Sequence, residues 1–555
     1  MDRTAIGQHT GAATAPQGRQ GWGRVIAPAL LLLLFAGQCV WVIRTQSLTY
    51  DEPMHIVEGL EGWRQGRFQE FIQNPPLARL WCTLPLLGPK WQMDLEFLRA
   101  GFRLHRVAPD VSSLAWRARA MNVGLGVLLG WLLWLAAAKL FSDGAANFAL
   151  ALFVFCPSVL AHFSLATTDG AAALLIFAAA LQVVSWRGDP SWKRTLSCGV
   201  VMGLMLLTKL SALPMFAVGV LWMLALVSGR VSFDLPNWNW RPAVTAIGVA
   251  LLVLWAGYFF HVSRLTIRDG TLTAAFPHWT ASIVKPVRSR LNISVPVPAG
   301  EYIEGFRDLA LVNAHGQRAF LLGEVSQKGG WKLYFPVAIL LKWPLILTAL
   351  VGSGVLLCLR KRLGTPSELW ILASFPAVYL LLALFAKLNY GERHVLPIYP
   401  FALLFAAATW QKLAQDRRGK LLLGAMLIFN AADVLRYAPG YLSYMNVVIR
   451  PEASYHLLSD SNVDWGQGLL ALQKYQREHP DEKISLAYFG SVDPEVYGIR
   501  AQPLAEGERV TGTVVVGATH LSGQFLQDPN AYRWLLAYGP PEILDGCLYV
   551  FHVPR

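Results

Sequence analysis

Charged residues and cysteines are scarce in this chain of 555 residues. Only 15% of the residues are charged and 54% are hydrophobic, whereas a soluble protein is about 25% charged. The chain therefore lacks the polar surface that several soluble domains would need. Its six cysteines form no C-x-x-C pair and no Cys/His cluster with zinc spacing, which excludes a disulfide framework and a zinc ribbon. The composition predicts an integral membrane protein.

The usual nucleotide-binding signatures are also missing. The sequence contains no G-x-x-x-x-G-K-[ST] loop and no strand-borne G-x-G-x-x-G motif, so the reactivity of any substrate must come from another source. Four cysteines lie inside apolar runs and are expected in the core. Cys82 and Cys547 lie outside those runs. We expect them to stay unpaired, with a disulfide in an oxidising compartment as the alternative.

Long apolar runs predict a mainly α, polytopic membrane protein with about eleven membrane-spanning helices, and up to thirteen. The first run is followed by Arg44 and not by a small-residue cleavage site, which predicts an anchor instead of a cleaved signal peptide. Residues 1–23 are polar and predicted to form a disordered cytoplasmic tail. The predicted spans are 25–43, 118–138, 146–165, 170–186, 195–208, 211–228, 243–261, 335–357, 369–386, 395–409 and 421–436.

The distribution of Lys and Arg predicts the orientation of these spans. With a cytoplasmic N-terminus, thirteen Lys and Arg fall on the short inner connections, and only Lys209, Lys387 and Arg393 fall on the short outer ones. Segments 44–117, 262–334 and 440–555 are then extracytoplasmic. The bias accounts for most of the net charge of +13, so no nucleic-acid partner is expected.

Two domains are expected after the tail. Residues 24–439 are predicted to form the transmembrane domain, and residues 440–555 a small extracytoplasmic α/β domain. In the latter, we expect a helix at 465–478 and strands at 483–489, 510–517 and 546–553. Asp460 and Asp464 precede this helix, and we interpret them as helix caps, with contact to an active site as the alternative.

The first outer loop opens with a cluster of acidic residues. A helix that begins there places Asp51, His55 and Glu58 on one face, at i, i+4 and i+7. Thr49 and Glu52 have the spacing of a capping box, and acids in a first turn suit the helix dipole. A carboxylate can both cap a helix and catalyse, so the two interpretations do not exclude each other.

Two further positions lie close to the predicted membrane surface. Asn74 precedes Pro75-Pro76, after which a new helix is expected to begin with Arg79 in its early turns. Arg79 is either an interfacial residue or a phosphate ligand. Asp169 lies in a tight outer turn, where it either caps the next helix or supplies a second carboxylate beside Asp51.

A cationic helix mouth is predicted near residue 393. Tyr390, Glu392, Arg393 and His394 directly precede an apolar helix, at a place where an anionic headgroup can be held. Lys342 lies inside an apolar run beside Pro344, so it must extend to the interface or pair with an anion.

Six motifs occur in a recognisable order. They are Asp51-Glu52, Asn74 to Arg79, Lys209 to Ala212, Gly330-Trp331 with Lys342 to Pro344, Arg393 to Pro397, and Asp460 to Gln467. From about residue 25 to 500 the chain resembles the polyprenyl-phosphate-sugar-dependent glycosyltransferases of the GT-C superfamily. It is similar to the bacterial branch related to protein O-mannosyltransferases and lipid A aminoarabinose transferase, glycosyltransferase family 39.

The resemblance implies an inverting transfer of one sugar from a polyprenyl-phosphate carrier to an acceptor hydroxyl. The acceptor would be a protein, a lipid or a cell-wall glycan on the outer face of the bacterial inner membrane. The resemblance also implies the site residues: Asp51 as catalytic carboxylate, Glu52 as its support, Asp169 as a second acid, and Arg79, Arg393, His394 and Lys342 as phosphate ligands.

This chain departs from that pattern at two positions. The mannosyltransferases usually have His where this chain has Asn74 and Lys where it has Arg79, so contacts there are expected to differ. No cofactor is clearly implied, although Asp51, His55 and Asp169 could supply ligands to a divalent metal. A lipid-linked oligosaccharide ligase or polymerase is an alternative function. A transporter is a weaker one, because only Lys342 and Asp433 are ionisable near the middle of the membrane.

Overall fold

The computed structural model describes residues 21–68, 72–88, 111–227, 240–268, 271–276, 279–283, 293–360 and 367–555. Residues 1–20 of the predicted tail and parts of both outer loops lie outside the described residues. The first helix begins at Gly21, so residues 21–23 of the predicted tail are helical.

Helices account for most of the described chain up to residue 435. Each of the eleven predicted spans coincides with one helix or with a consecutive pair. The helices are α1 Gly21–Thr45, α2 Glu52–Gln65, α3 Leu77–Thr83, α4 Val111–Leu140, α5 Asp143–Val154, α6 Pro157–Phe163, α7 Asp169–Gly188, α8 Trp192–Leu206, α9 Leu213–Val227, α10 Arg241–Gly257, α11 Gly300–His315, α12 Tyr334–Lys342, α13 Leu345–Leu359, α14 Ser367–Ala383, α15 Tyr399–Leu413 and α16 Arg417–Leu435.

The lengths of the apolar helices identify the clearest membrane spans. Among the described residues, α1, α4 and α7 are long and apolar enough to cross a membrane, and two bent pairs bring the number to five. The pairs are α5–α6, bent by 65°, and α12–α13, bent by 119°. Pro157 and Pro344 lie at these bends, where the missing backbone N–H prevents one continuous helix. Shorter apolar helices coincide with α9, α10 and α14.

The second outer segment contains a small sheet that the sequence analysis did not predict. Strands β1 to β4 form an antiparallel sheet in the order β3-β2-β1-β4, and β5 pairs with β6 in a hairpin after α11. The strands are β1 Val262–Arg268, β2 Thr271–Phe276, β3 Trp279–Ile283, β4 Ile293–Pro298, β5 Ala319–Leu321 and β6 Glu324–Ser326.

The C-terminal region is a mixed α/β unit around a five-stranded sheet. The strand order is β10-β11-β9-β7-β8, with β7 parallel to β8 and β9 and the remaining pairs antiparallel. The three predicted strands are present as β7, β9 and β11. The predicted helix begins at 469 and not at 465, because the preceding residues form a turn against the first outer loop. The elements are α17 Ser454–Leu457, α18 Leu469–Glu478, β7 Ile484–Ala487, β8 Ala501–Pro503, β9 Gly512–Gly517, α19 Ala518–Ser522, β10 Glu542–Leu544 and β11 Leu548–Val553.

The C-terminal unit packs directly on the first outer loop. Leu48, Ile56 and Leu60 share one buried apolar cluster with Leu469 and Val515, and each fully buried Leu or Ile contributes about 1.5–3 kcal/mol. Backbone hydrogen bonds join the two segments, from Ser47 to Gln467 at 3.0 Å and from Tyr50 to Trp465 at 2.8 Å. This packing fixes the chain immediately before Asp51.

Cys82 and Cys547 are both free and buried, as expected. The Cys82 thiol contacts Asn122 Oδ1 at 3.3 Å, and Cys547 lies in the C-terminal unit against the Leu544 carbonyl. A disulfide between the two is therefore not part of this fold.

Candidate active site

A cavity of about 1040 Å³ opens between the first outer loop, α11, α14 and the C-terminal unit. Apolar side chains of α11 and of the end of α14 contribute to the lining, with Phe306, Leu309, Leu382 and Phe385. Another part of the lining is polar, and we call it the polar end. It contains six of the predicted site residues and two that were not assigned to the site: Asp51, His55, Asn74, Tyr390, Arg393, His394, Lys209 and Asp460.

Two carboxylates and two cations meet at the polar end, with Asp169 buried behind the lining. Arg393 Nη1 lies 3.1 Å from Asp51 Oδ2 and 3.6 Å from Asp169 Oδ2. Lys209 Nζ lies 2.6 Å from the other oxygen of Asp169. Asp169 is buried, whereas 32% of the Asp51 side chain is exposed. Asp51 is thus the carboxylate that an incoming molecule can reach.

Arg393 is held in place by groups other than the carboxylates. Its guanidinium lies 4.0 Å from the ring centre of Trp465, and its Nε donates to Ser461 Oγ at 3.1 Å. Both residues come from the motif that follows the last span, so the C-terminal unit completes the site. A cation over an aromatic ring is stabilised by the ring quadrupole.

Asp169 does not cap its helix through its side chain, which corrects the capping interpretation. Helix α7 begins at Asp169 itself, with Thr168 at the cap position and no side-chain capping bond. The carboxylate instead faces Lys209 and Arg393. The alternative interpretation, a second acid beside Asp51, is the one that agrees with this arrangement.

Glu52 lies behind the cavity in a closed set of contacts. Its carboxylate accepts from Arg119 at 2.6 and 2.7 Å, from the Ala166 N–H at 2.8 Å, and from the Thr49 N–H at 2.8 Å. Burial opposes ionisation of Glu52, but the charge of Arg119 and these hydrogen bonds outweigh it and lower the pKa. Glu52 therefore joins the first outer loop to α4 and to Ala166, just before α7. Its support for Asp51 is structural, because it holds the loop that carries Asp51.

The predicted capping box is only half formed. Helix α2 begins at Glu52 with Asp51 at the cap position, and the Asp51 side chain makes no capping bond. The Thr49 hydroxyl donates to Glu52 instead of accepting from a helix N–H. The acidic pair is thus divided, with Asp51 facing the cavity and Glu52 facing the interior.

Arg79, Lys342 and the further site candidate Glu392 also lie outside the cavity lining, and this geometry does not support the phosphate contacts predicted for Arg79 and Lys342. Arg79 is buried and pairs with Glu58 at 3.0 Å. Lys342 Nζ donates to the carbonyls of Leu442 and Asn462 at 2.7 and 2.6 Å. Glu392 is buried among hydroxyl groups, with Ser158 and Tyr399 as donors, and its N–H donates to Asn462 Oδ1.

Burial disfavours the protonated form of two histidines in the lining. Burial lowers the pKa of His55 to about 4. Burial, together with the charges of Lys209 and Arg393, lowers the pKa of His394. Within the part of the chain that the structure describes, the buried Nε2 atom of His394 has no hydrogen-bond partner. His394 can therefore donate or accept one hydrogen bond in the cavity, but it does not add positive charge.

Asp460 lies in the cavity and does not cap a helix, so the alternative interpretation of this residue holds. It has a φ of 56°, its carboxylate accepts from the Ser461 N–H at 2.6 Å, and its N–H donates to Thr519 Oγ1. Burial raises its pKa to about 7, against the lowering effect of Arg393. Asp464 is buried outside the cavity and accepts from the N–H groups of Thr519 and Gly466, so it does not cap α18 either.

A divalent metal does not fit between the acidic residues. The described residues contain no group of three or more His, Cys, Asp or Glu arranged around a metal position. The Arg393 guanidinium lies between Asp51 and Asp169, where a metal bridging the two carboxylates would have to be. We therefore derive no step through a metal.

Lys209 is one of the two lining residues that the sequence did not assign to the site. It was one of only three positive residues on the short outer connections, and that rarity was the available signal. Arg119 gave no such signal, because it lies within the long helix α4 and its pairing with Glu52 depends on the fold.

The comparisons with known proteins agree with this architecture. Residues 110–266, less than half of the chain, match the family model of dolichyl-phosphate-mannose-protein mannosyltransferase. The Pmt1-Pmt2 protein O-mannosyltransferase complex of S. cerevisiae, solved with its sugar donor, has a TM-score of 0.51 and 12% identity, covering 87% of this chain and 94% of that chain. ArnT from Cupriavidus metallidurans bound to undecaprenyl phosphate has a TM-score of 0.44 and 14% identity, covering 97% and 100%. No curated protein has a significantly similar sequence.

The chain is therefore a multi-pass membrane protein with the GT-C fold. Within that fold, the segment from α4 to the beginning of β1 carries the likeness to the mannosyltransferase family.

Proposed function

We propose that this chain is an inverting glycosyltransferase that moves one sugar from a polyprenyl-phosphate carrier to an acceptor hydroxyl. The observation that carries the proposal is the junction of an accessible carboxylate, Asp51, with the cations Arg393 and Lys209 at the end of an apolar-walled cavity. The family likeness and the fold agree with it. The reaction takes place on the extracytoplasmic face of the bacterial inner membrane, with the N-terminus in the cytoplasm.

Asp51 is the proposed base. The acceptor oxygen attacks the anomeric carbon, its proton passes to Asp51, and the bond between that carbon and the phosphate oxygen breaks to release polyprenyl phosphate. A base must lie within hydrogen-bond reach of the proton that it removes, and Asp51 is the more exposed acid of its pair with Asp169. One displacement with a single base inverts the anomeric configuration.

Lys209, Arg393 and His394 are the proposed ligands of the donor phosphate. Uptake of the proton removes the charge of Asp51 and so frees Arg393 from that ion pair. The guanidinium then faces the phosphate as negative charge accumulates on it, which favours the transition state over the ground state. Asp169 keeps Lys209 in position throughout.

The apolar part of the lining is the proposed place for the first prenyl units. Phe306, Leu309, Leu382 and Phe385 line the same cavity as the charged residues, and a carrier lipid likewise combines a charged head with an apolar tail. Because the carrier phosphate is already a good leaving group, the reaction needs no nucleotide site.

The ionisable residues nearer the middle of the membrane have local partners, which disfavours a transporter. Asp433 accepts from Arg436 at 2.9 Å and from the Tyr444 hydroxyl at 2.6 Å. Lys342 is bound to two backbone carbonyls. Neither residue lines the cavity, whereas a transport pathway requires polar groups along its whole length.

Reconstitution with defined donors tests this function. The full chain in lipid nanodiscs receives polyprenyl-phosphate-linked hexose, pentose or aminopentose, together with envelope extract from cells that lack the chain. We expect mass spectrometry to detect free polyprenyl phosphate and a glycosylated acceptor with one of the donors. Turnover of pyrophosphate-linked oligosaccharides in place of these donors would instead identify a ligase or polymerase.

A further inference from the structure

Three aromatic rings form a continuous stack at the edge of the cavity. The rings of Tyr50 and Phe489 lie 5.2 Å apart at an interplanar angle of 14°, and those of Phe489 and Phe525 lie 5.2 Å apart at 10°. All three line the cavity. The end rings are 45% exposed at Tyr50 and 39% exposed at Phe525. We call these three residues the aromatic stack.

The ends of the stack are open, which distinguishes it from the aromatic residues buried in the core of the C-terminal unit. Other aromatic residues of the C-terminal unit, such as Trp465, Tyr549 and Phe551, are at most 2% exposed. Among the described residues no cation lies over any of the three rings, and Arg393 lies over Trp465 instead. Nothing in the described fold accounts for two rings left facing the cavity.

The backbone holds the rings in this position. The Tyr50 carbonyl accepts from Ser491 Oγ at 2.6 Å, which joins the first loop to the segment of Phe489. Phe525 follows a turn at Gly523, where φ is 78° and a Cβ would lie 2.2 Å from the Pro529 carbonyl oxygen, so only glycine fits. A ligand that binds rings already held in place orders little of the protein, and its affinity is correspondingly higher.

The stack also lies beside the proposed base, since Tyr50 directly precedes Asp51. A molecule resting on Tyr50 therefore lies near the carboxylate that receives the acceptor proton. The cavity, at about 1040 Å³, is at the upper end of the range of about 300–1,000 Å³ for small-molecule sites, which leaves room for an acceptor beside the donor sugar.

We propose that the aromatic stack is a subsite for a pyranose ring of the acceptor, so that the acceptor is a glycan or a glycolipid headgroup. This inference rests on the proposed function. A pyranose presents one face of C–H groups that packs on an aromatic ring, and its rim carries the hydroxyl groups that a base can deprotonate. A Ser or Thr side chain has the hydroxyl but no such face.

The surrounding polar groups suit the same ligand. Gln73, Asn74, Asn313 and Gln317 line the cavity, and their amides can both donate to and accept from sugar hydroxyls. An aromatic surface with a few amides for orientation is the usual composition of a site that binds a polar molecule with an apolar face.

A binding measurement without turnover tests the subsite. Saturation-transfer NMR is recorded on the full chain in nanodiscs with millimolar methyl pyranosides of glucose, mannose and N-acetylglucosamine. We expect transfer to the ring C–H protons of at least one probe and about a tenfold weaker affinity in Phe525→Ala, a factor within the range of one aromatic contact. Phe525→Trp should keep the affinity. Tyr538→Ala is the matched control, because Tyr538 is 46% exposed in the same unit but does not line the cavity.

Further arms separate the acceptor sugar from the donor sugar and from a peptide. A pyranoside that stays bound when a polyprenyl-phosphate sugar is added supports an acceptor subsite, whereas displacement would assign the stack to the donor and overturn the proposal. Equal binding by wild type and Phe525→Ala, binding of none of the probes, or Phe525-dependent binding of a Ser/Thr peptide instead of pyranosides would each overturn it. Because no sugar is transferred, these results stay distinct from a failure of the proposed function.

Discussion

Two adjacent carboxylates, Asp51 and Glu52, occupy opposite environments. Asp51 is one-third exposed, lines the cavity and shares Arg393 with Asp169. Glu52 is fully buried and is surrounded by Arg119 and backbone N–H groups. These two consecutive residues therefore differ in access. Substrate can reach Asp51, whereas Glu52 contacts only other groups of the fold.

The difference shows that an acid–arginine pair can serve chemistry or structure, depending on access. In the pair of Asp51 and Arg393, a proton can bind to Asp51 in place of Arg393, and a phosphate can bind to Arg393 in place of Asp51. In the pair of Glu52 and Arg119, nothing can replace a lost partner, and the remaining charge stays buried and uncompensated. Four predictions, with five substitutions and taken from the largest expected effect to the smallest, test this division.

Asp51→Asn should abolish sugar transfer and leave the fold intact. Loss of a general base costs about 10²- to 10⁴-fold in rate, and the amide keeps the shape of the side chain. Initial rates of polyprenyl phosphate release give the loss, and thermal unfolding in detergent checks the fold. Asp143→Asn is the matched control, because Asp143 pairs with Arg24 far from the cavity. A rate within twofold of wild type would remove Asp51 from the mechanism.

Glu52→Gln should destabilise the protein by about 3–5 kcal/mol, because it leaves the buried Arg119 without its charge partner. Unfolding in denaturant measures the change in the free energy of unfolding. Activity should fall only as far as the folded fraction falls. Asp143→Asn, from a half-exposed pair, should cost at most about 1 kcal/mol. A stable Glu52→Gln protein with no activity would contradict the structural role and place Glu52 in the chemistry.

The sequence predicted the helical architecture well, since a membrane helix needs an apolar run of fixed length and little else. Each of the eleven apolar runs identified from hydropathy corresponds to a helix or to a consecutive pair of helices, and the split between α8 and α9 followed from the charge pattern. The sheet of β1 to β4 was missed although Asp269-Gly270 is a hairpin turn sequence and β1 pairs with β2 locally, from Arg268 and Thr271 outward. Only the pairing of β1 with β4 joins residues distant in sequence.

The site was predicted only where position along the chain determined access. Asp51, Arg393 and His394 follow or precede apolar runs, and the structure places them in the cavity. Arg79 and Lys342 carry the same charge as Arg393 and also lie near the ends of apolar runs, but they lie behind the lining. A single residue type at a helix end does not reveal which way the side chain turns, because the bend at Pro344 and the packing of α3 decide it.

Lys209→Met and Lys342→Met should separate the two roles for lysine. We expect Lys209→Met to weaken binding of a polyprenyl-phosphate sugar by about 10- to 100-fold, since a charged hydrogen bond contributes about 1.5–3 kcal/mol. Lys342→Met should leave donor affinity unchanged and lower the stability instead, because its partners are the carbonyls of Leu442 and Asn462. Fluorescence titration with a labelled donor measures the donor affinity of both variants. Equal loss of donor affinity would return Lys342 to the phosphate site.

Asp460→Asn should change how stability depends on pH, which extends the comparison to an acid that is both buried and cavity-lining. Burial raises the folded-state pKa of Asp460 to about 7, well above its usual value, so the folded state binds this proton more tightly than the unfolded state does. The stabilisation is complete below about pH 4 and is lost as the pH rises through 7, with a slope of about 1.4 kcal/mol per pH unit for one group. Unfolding measured from pH 4 to 8 should show a slope smaller by that amount in Asp460→Asn. Burial also raises the pKa of Asp464 to about 7, so Asp464 keeps its own contribution to the pH dependence of stability in this variant. The exposed Asp481→Asn is the control for the loss of a charge. An unchanged slope would mean that water from the cavity hydrates Asp460, and would group it with the accessible Asp51 instead of the enclosed Glu52.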